Sequence, residues 1–156
     1  GVDPVSGGTI RATSDDFFKK NTEKFDCVFI DGLHRYYQVK KDILNSINSL
    51  NEGGIILLHD CLPNNVYEQA VPRCQYKWNG DVWKAIVELR TYKNLDIYTC
   101  YADHGIGVVF VRPNRNQLNL SKDNFLKLSF KDYYENYKEY MNLISYSKLL
   151  ELVKAI

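Results

Sequence analysis

The chain has 156 residues, a length that suits one domain with a sizeable core. Twenty Lys and Arg stand against 19 Asp and Glu, a net charge of +1, so no broad basic field recommends nucleic acid or an acidic membrane as partner. The chain has no run of about 18 apolar residues, and its N-terminus lacks the basic, apolar and small-residue succession of an export signal; a soluble cytoplasmic protein is the expectation.

Gly1-Val2-Asp3-Pro4 reads as the tail of a strand, and Thr9 to Ala12 as the next short strand. A helix is expected from Thr13-Ser14-Asp15-Asp16, capped by Thr13 or Ser14, with Phe17 and Phe18 packing inward. Cys27 to Ile30 is short, apolar and β-branched and stops at Asp31-Gly32, the pattern of a strand buried on both faces. Val39, Ile43, Ile47 and Leu50 then recur at helical spacing until Glu52-Gly53-Gly54, which predicts an amphipathic helix with a glycine stop. Ile55 to Leu58 is a second apolar run ending in His59-Asp60-Cys61. Two parallel strands joined by a right-handed crossover is the economical reading of this stretch.

Residues 62 to 80 show little periodicity and two prolines, the pattern of a lid or binding loop. A helix carrying Val82, Ala85, Ile86 and Leu89 follows, with Asp81 or Asn79 as its cap and with Trp78 and Trp83 divided between pocket wall and core. Leu95 to Tyr101 and Ile106 to Arg112 predict an antiparallel hairpin at the sheet's edge, turning through Ala102-Asp103-His104-Gly105. Residues 1–113 thus read as one α/β unit and 114–156 as a helical extension. In the extension Tyr133, Tyr137, Tyr140, Met141 and Ile144 share one face, and Leu149, Leu150, Val153 and Ile156 a second, to pack on the domain or pair two subunits. The four cysteines, Cys27, Cys61, Cys74 and Cys100, have no CxxC spacing and read as reduced thiols; zinc held by Cys61, Cys74 and His59 is the alternative.

In parallel sheets ligands sit beyond the carboxyl ends of the strands, where Asp31, His34, His59 and Asp60 fall. The pattern FDCVFIDGLHRYYQVKKDI, a helix, and GGIILLHD resembles the second half of a class I S-adenosylmethionine-dependent methyltransferase. More narrowly, it is similar to the small-molecule O-methyltransferases that include macrolide-sugar and cephalosporin-pathway enzymes. The resemblance covers roughly residues 1 to 113 and implies a mostly parallel Rossmann-like sheet with a terminal antiparallel strand, followed by C-terminal helices. It also implies that the family's first strand and glycine-rich cofactor loop lie upstream of Gly1, leaving an exposed edge beside the Cys27 strand that a second chain could pair with.

For the site, the resemblance implies S-adenosylmethionine as cofactor, with Asp3 on its ribose hydroxyls and Ser14 and Asp31 as further cofactor-binding residues. It implies Asp31, Asp60 and His59 as ligands of a divalent metal such as Mg²⁺, and His34 as the general base. The chemistry is coherent: two carboxylates are hard oxygen ligands, and an imidazole suits proton removal from a hydroxyl as a methyl group arrives. The expected reaction is O-methylation of a sugar or other hydroxylated small molecule. Two other classes compete, a non-catalytic methyltransferase-like remnant that assembles through its tyrosine-rich tail, and a metal-dependent hydrolase built on the same groups.

Overall fold

The computed structural model describes residues 1–155; Ile156 lies outside them. Its frame is a five-stranded sheet in the order β1-β2-β4-β3-β5. The strands are β1 (Phe25–Ile30), β2 (Leu50–Leu58), β3 (Leu95–Cys100), β4 (Ile106–Val111) and the two-residue β5 (Leu143–Ile144). β1 pairs parallel to β2 and β3 parallel to β5, while β4 runs antiparallel to both β2 and β3. Four strands therefore point one way and one against, an α/β sheet consistent with a Rossmann-like methyltransferase fold. The expected hairpin forms, but its antiparallel member is inserted between β2 and β3, so β4 has a neighbour on each side and the sheet's edges are β1 and β5.

The helices are α1 (Ser14–Lys20), α2 (Tyr36–Asn48), α3 (Val82–Leu89), α4 (Phe130–Met141) and α5 (Tyr146–Lys154). α1 is capped by Thr13, whose hydroxyl accepts the Asp16 N–H, and Phe17 and Phe18 are half-buried. α2 puts Tyr36, Val39 and Ile43 into the core, as its 3–4 spacing predicts. It ends at Asn48, five residues before the first glycine of the expected stop. The reason lies in pairing: β2 starts at Leu50, opposite Phe25, and carries Gly53 and Gly54 within the strand across an irregularity in register.

Three further expectations are corrected. Thr9 to Ala12 is not a strand; Ile10 makes one isolated parallel bridge to Val2, since this exposed segment has no longer partner. β1 is not buried on both faces: Cys27 is exposed and Phe29 is 56% exposed, because β1 is an edge strand and only its last residue, Ile30, is buried. Asp81 does not cap α3 with its side chain; its Oδ1 instead accepts the Tyr36 N–H at 2.7 Å and satisfies the start of α2.

The main core lies between α2, α3 and the sheet, centred on Trp83, Ile86, Ile43 and Ile56. Segment 114–155 is built into it: Leu118, Phe125, Leu128, Tyr133, Tyr140 and Met141 join the same cluster. Of the second C-terminal stretch, Leu149 is half-buried, Leu150 and Val153 are exposed, and Leu152 is the residue that buries. Arg90 anchors the extension, fully buried, with its guanidinium donating to the carbonyls of Asn116, Glu139 and Tyr140. Among the described residues no helix is long and apolar enough to cross a membrane.

Candidate active site

The pairing of β1 with β2 continues one residue past the strands, where the His59 N–H donates to the Ile30 carbonyl at 3.0 Å. That places Asp31, on the turn after β1, beside His59 and Asp60, at the end of β2. Asp60 takes φ 59°, a left-handed conformation uncommon for a residue with a Cβ. His34 follows Asp31 by three residues and closes the group. Its Nε2 stands 3.4 Å from Asp31 Oδ1 and 3.3 Å from Asp60 Oδ2, while His59 Nδ1 stands 3.4 Å and 3.2 Å from the same two oxygens. Two carboxylates and two imidazoles thus alternate around a small ring.

Each histidine is oriented from behind. His34 Nδ1 meets the Trp78 carbonyl at 3.0 Å and its ring stacks on the Trp78 indole at 5.2 Å. A carbonyl only accepts, so Nδ1 carries the hydrogen and, in the neutral imidazole, Nε2 turns its lone pair toward the Asp31 and Asp60 carboxylate oxygens. Trp78 belongs to the 62–80 loop, whose last residue is locked against His34. Gly80 has φ 65°, and a Cβ there would fall 1.8 Å from the His34 carbonyl oxygen, so only glycine fits. Asp60 is held by Asn79, whose Nδ2 donates to Oδ1 at 3.0 Å.

His59 reaches the β3–β4 turn with its far nitrogen: Nε2 is 3.3 Å from Asp103 Oδ2. Burial draws the His59 pKa down, but the Asp60, Asp31 and Asp103 carboxylates outweigh it and hold the group above the ordinary histidine value. His104 contributes a ring edge to His59 at 6.1 Å. Asp103 and Asn79 carry parts of this site that the sequence reading did not assign; the turn and the loop end were visible, but not that they fold over β2.

A cleft of about 950 Å³ runs along the open side of β1 and ends at Asp31. Asp3, Ser14 and Asp31 supply polar groups to its wall, and Phe17, Val28 and Ile10 apolar ones. Its size suits a nucleoside-sized ligand. Asp3 is fixed by the N–H groups of Ser6 and Val5, which donate to Oδ1 and hold its carboxyl below the usual range. Ser14 Oγ accepts from Gln38 Nε2 at 3.2 Å, and the same amide bonds Asp15 and Asp42.

The zinc alternative through cysteine is not assembled here. Cys61 is buried with Sγ toward the Leu58 and His59 carbonyls, burial pushes its thiol up to about 12, and Cys74 is exposed with Sγ toward the Tyr67 carbonyl. Among the described residues the group with metal-ligand spacing is Asp31, His34 and Asp60.

No curated protein matches the chain. The model of a family described as a methyltransferase domain matches residues 6–61, which span α1, β1, α2 and β2 and include Ser14, Asp31, His34, His59 and Asp60. Over that segment the chain is similar to a methyltransferase domain.

Proposed function

We propose that the chain takes part in S-adenosylmethionine-dependent O-methylation of a hydroxylated small molecule, with Asp31, Asp60 and His59 holding a divalent metal and His34 acting as base. The observation that carries this reading is the position of Asp31, which belongs both to the cleft wall and to the ring of donors, so cofactor and metal would meet there.

The residues fit both groups. The cleft offers the Asp3 carboxylate for ribose hydroxyls, with Ser14 further along the wall and Asp31 at the metal end. The ring offers two carboxylates and an imidazole nitrogen, His59 Nδ1, that is buried and has no hydrogen-bond partner. A metal bound there supplies Lewis acidity that lowers the pKa of an acceptor hydroxyl. His34, held by Trp78 with Nε2 facing the carboxylates, takes the hydroxyl proton as the methyl group transfers. The Trp78 ring and the exposed Phe29 and Leu33 would flank the acceptor.

The test is binding first and rate second. S-adenosylhomocysteine should bind by calorimetry and weaken in Asp3→Ala, and Mn²⁺ binding should be lost in Asp31→Asn and Asp60→Asn. With a methyl-accepting substrate in hand, His34→Ala should lower the rate about 10²- to 10⁴-fold with cofactor affinity unchanged. An equal loss of rate and cofactor affinity would return His34 to a structural role. A second reading, a non-catalytic methyltransferase-like module, is favoured by the unpaired edge of β1 with Phe29 on it. Absence of S-adenosylhomocysteine binding would decide for it.

A further inference from the structure

We propose that Arg73 determines which molecule is methylated, and that the acceptor is a hydroxylated ring compound with an anionic substituent, a carboxylate or a phosphate. This deepens the methyl-transfer reading above and rests on it.

The loop of residues 62–80, which reaches the donor ring through Trp78 and Asn79, carries one acid and two cations. The acid is committed to the loop itself. Glu68 is buried, its Oε2 accepts the Asn64 N–H at 2.8 Å and the Asn64 side-chain amide at 2.9 Å, and its backbone carbonyl accepts the N–H groups of Asn79 and Gly80. Lys77 Nζ stands 4.0 Å from the same carboxylate. Arg73 has no such partner: among the described residues no carboxylate lies within ion-pair distance of it, and its hydrogen bonds go to backbone carbonyls.

The Arg73 guanidinium is nevertheless held in place. Its Nε donates to the Gln75 carbonyl at 2.8 Å and its Nη2 to the Tyr76 carbonyl, while the rings of Tyr76 and Trp78 lie 5.7 Å and 5.8 Å from Cζ. A guanidinium has further N–H donors, and those remain for a ligand. Fixing a long exposed side chain costs conformational entropy, so the arrangement has to be set against what it makes possible. A preoriented planar cation with spare donors suits bidentate recognition of an oxyanion.

The neighbourhood of Arg73 defines the molecule that would carry the oxyanion. The Trp78 indole is shared, with the His34 ring 5.2 Å from it and Arg73 Cζ 5.8 Å from it. The candidate base and the cation are thus separated by little more than one indole, an interval that a single sugar or aromatic ring with a charged arm spans. Tyr76, 94% exposed, offers an aromatic face beside the cation. Charge then sets the direction of binding: Asp31 and Asp60 stand beside His34 and repel an anionic arm, while Arg73 attracts it.

Glucose, glucuronate and glucose 6-phosphate differ only at the terminal carbon and serve as probes. They are titrated into the intact chain and followed through the amide resonances of residues 73–78 and the Trp78 indole N–H. At least one of the two anions should bind about tenfold more tightly than glucose, and the tighter of the two distinguishes carboxylate from phosphate. Arg73→Gln, which retains donors for the loop carbonyls, should remove that preference and leave glucose affinity unchanged. Arg73→Lys, which keeps the charge without the fork, should retain part of it. Lys131→Ala, an exposed cation on α4, should change nothing. Equal affinity for the three sugars, failure of both anions to bind, or a preference that survives Arg73→Gln overturns the inference. If S-adenosylhomocysteine binds while the anion preference is missing, this inference alone falls. If S-adenosylhomocysteine does not bind, the methyl-transfer reading falls, and the acceptor role of Arg73 with it.

Discussion

The two sides of the sheet are built to different standards. On the α3 side, Val82, Trp83, Ala85, Ile86, Val87 and Leu89 are all buried, β3 and β4 are nearly so, and the chain returns through α4 to seal them. On the β1 side the strand is an edge, its middle residues are exposed, and α1 has no buried residue at all. Cohesion is concentrated in the first region and accessible chemistry borders the second. The polar cluster sits where they meet, with Asp31 on the open side and Asp60 and Asn79 on the buried one.

The contrast predicts unequal responses to equal insults. Trp83→Ala removes the largest fully buried side chain and its packing on the Tyr133 ring at 5.0 Å. It should cost about 3–5 kcal/mol in urea denaturation. Arg90→Ala strips three carbonyls of the extension of their buried donor. A loss of about 2–4 kcal/mol is expected, with hydrogen exchange quickening first around residues 116 and 139–142. A smaller loss would mean that the extension is held chiefly by its apolar residues.

Thiol labelling sharpens the comparison without a mutation. Cys27 and Cys74 are exposed, Cys61 and Cys100 buried. Alkylation of the native protein should therefore modify the first two and spare the others until unfolding. Cys27 lines the cleft and Cys74 does not, so saturating S-adenosylhomocysteine should slow the first about tenfold and leave the second unchanged. At the small end, Phe29→Ala on the open strand should change stability by less than about 1 kcal/mol. A larger cost would show that β1 is covered in solution.

The elements of the fold were largely legible because they are local: the apolar runs of β1 and β2, the spacing of Val39 and Ile43, and the turn at Ala102-Asp103-His104-Gly105 each follow from neighbouring residues. What escaped is non-local. Whether Cys27 is covered depends on what pairs with β1, and whether Gly53 and Gly54 stop a helix or extend a strand depends on Phe25 pairing with Leu50. In the site, Asp31, His34, His59 and Asp60 were legible as strand-end residues, whereas Asp81 capping a helix that begins 45 residues earlier was not. Asp103 meeting His59 was hidden for the same reason, since the hairpin that carries it is distant in sequence.

Asp60, Asp103 and His104 share one further property, positive φ at 59°, 38° and 60°. Side chains with a Cβ are disfavoured there by about 1–2 kcal/mol, a cost that glycine avoids. A laboratory evolution campaign that rewarded heat resistance alone would drift toward glycine or asparagine at these three positions and lose the groups that surround His59. Improvement of this protein by thermal screening should therefore hold 60, 103 and 104 fixed and draw its gains from the exposed surface instead.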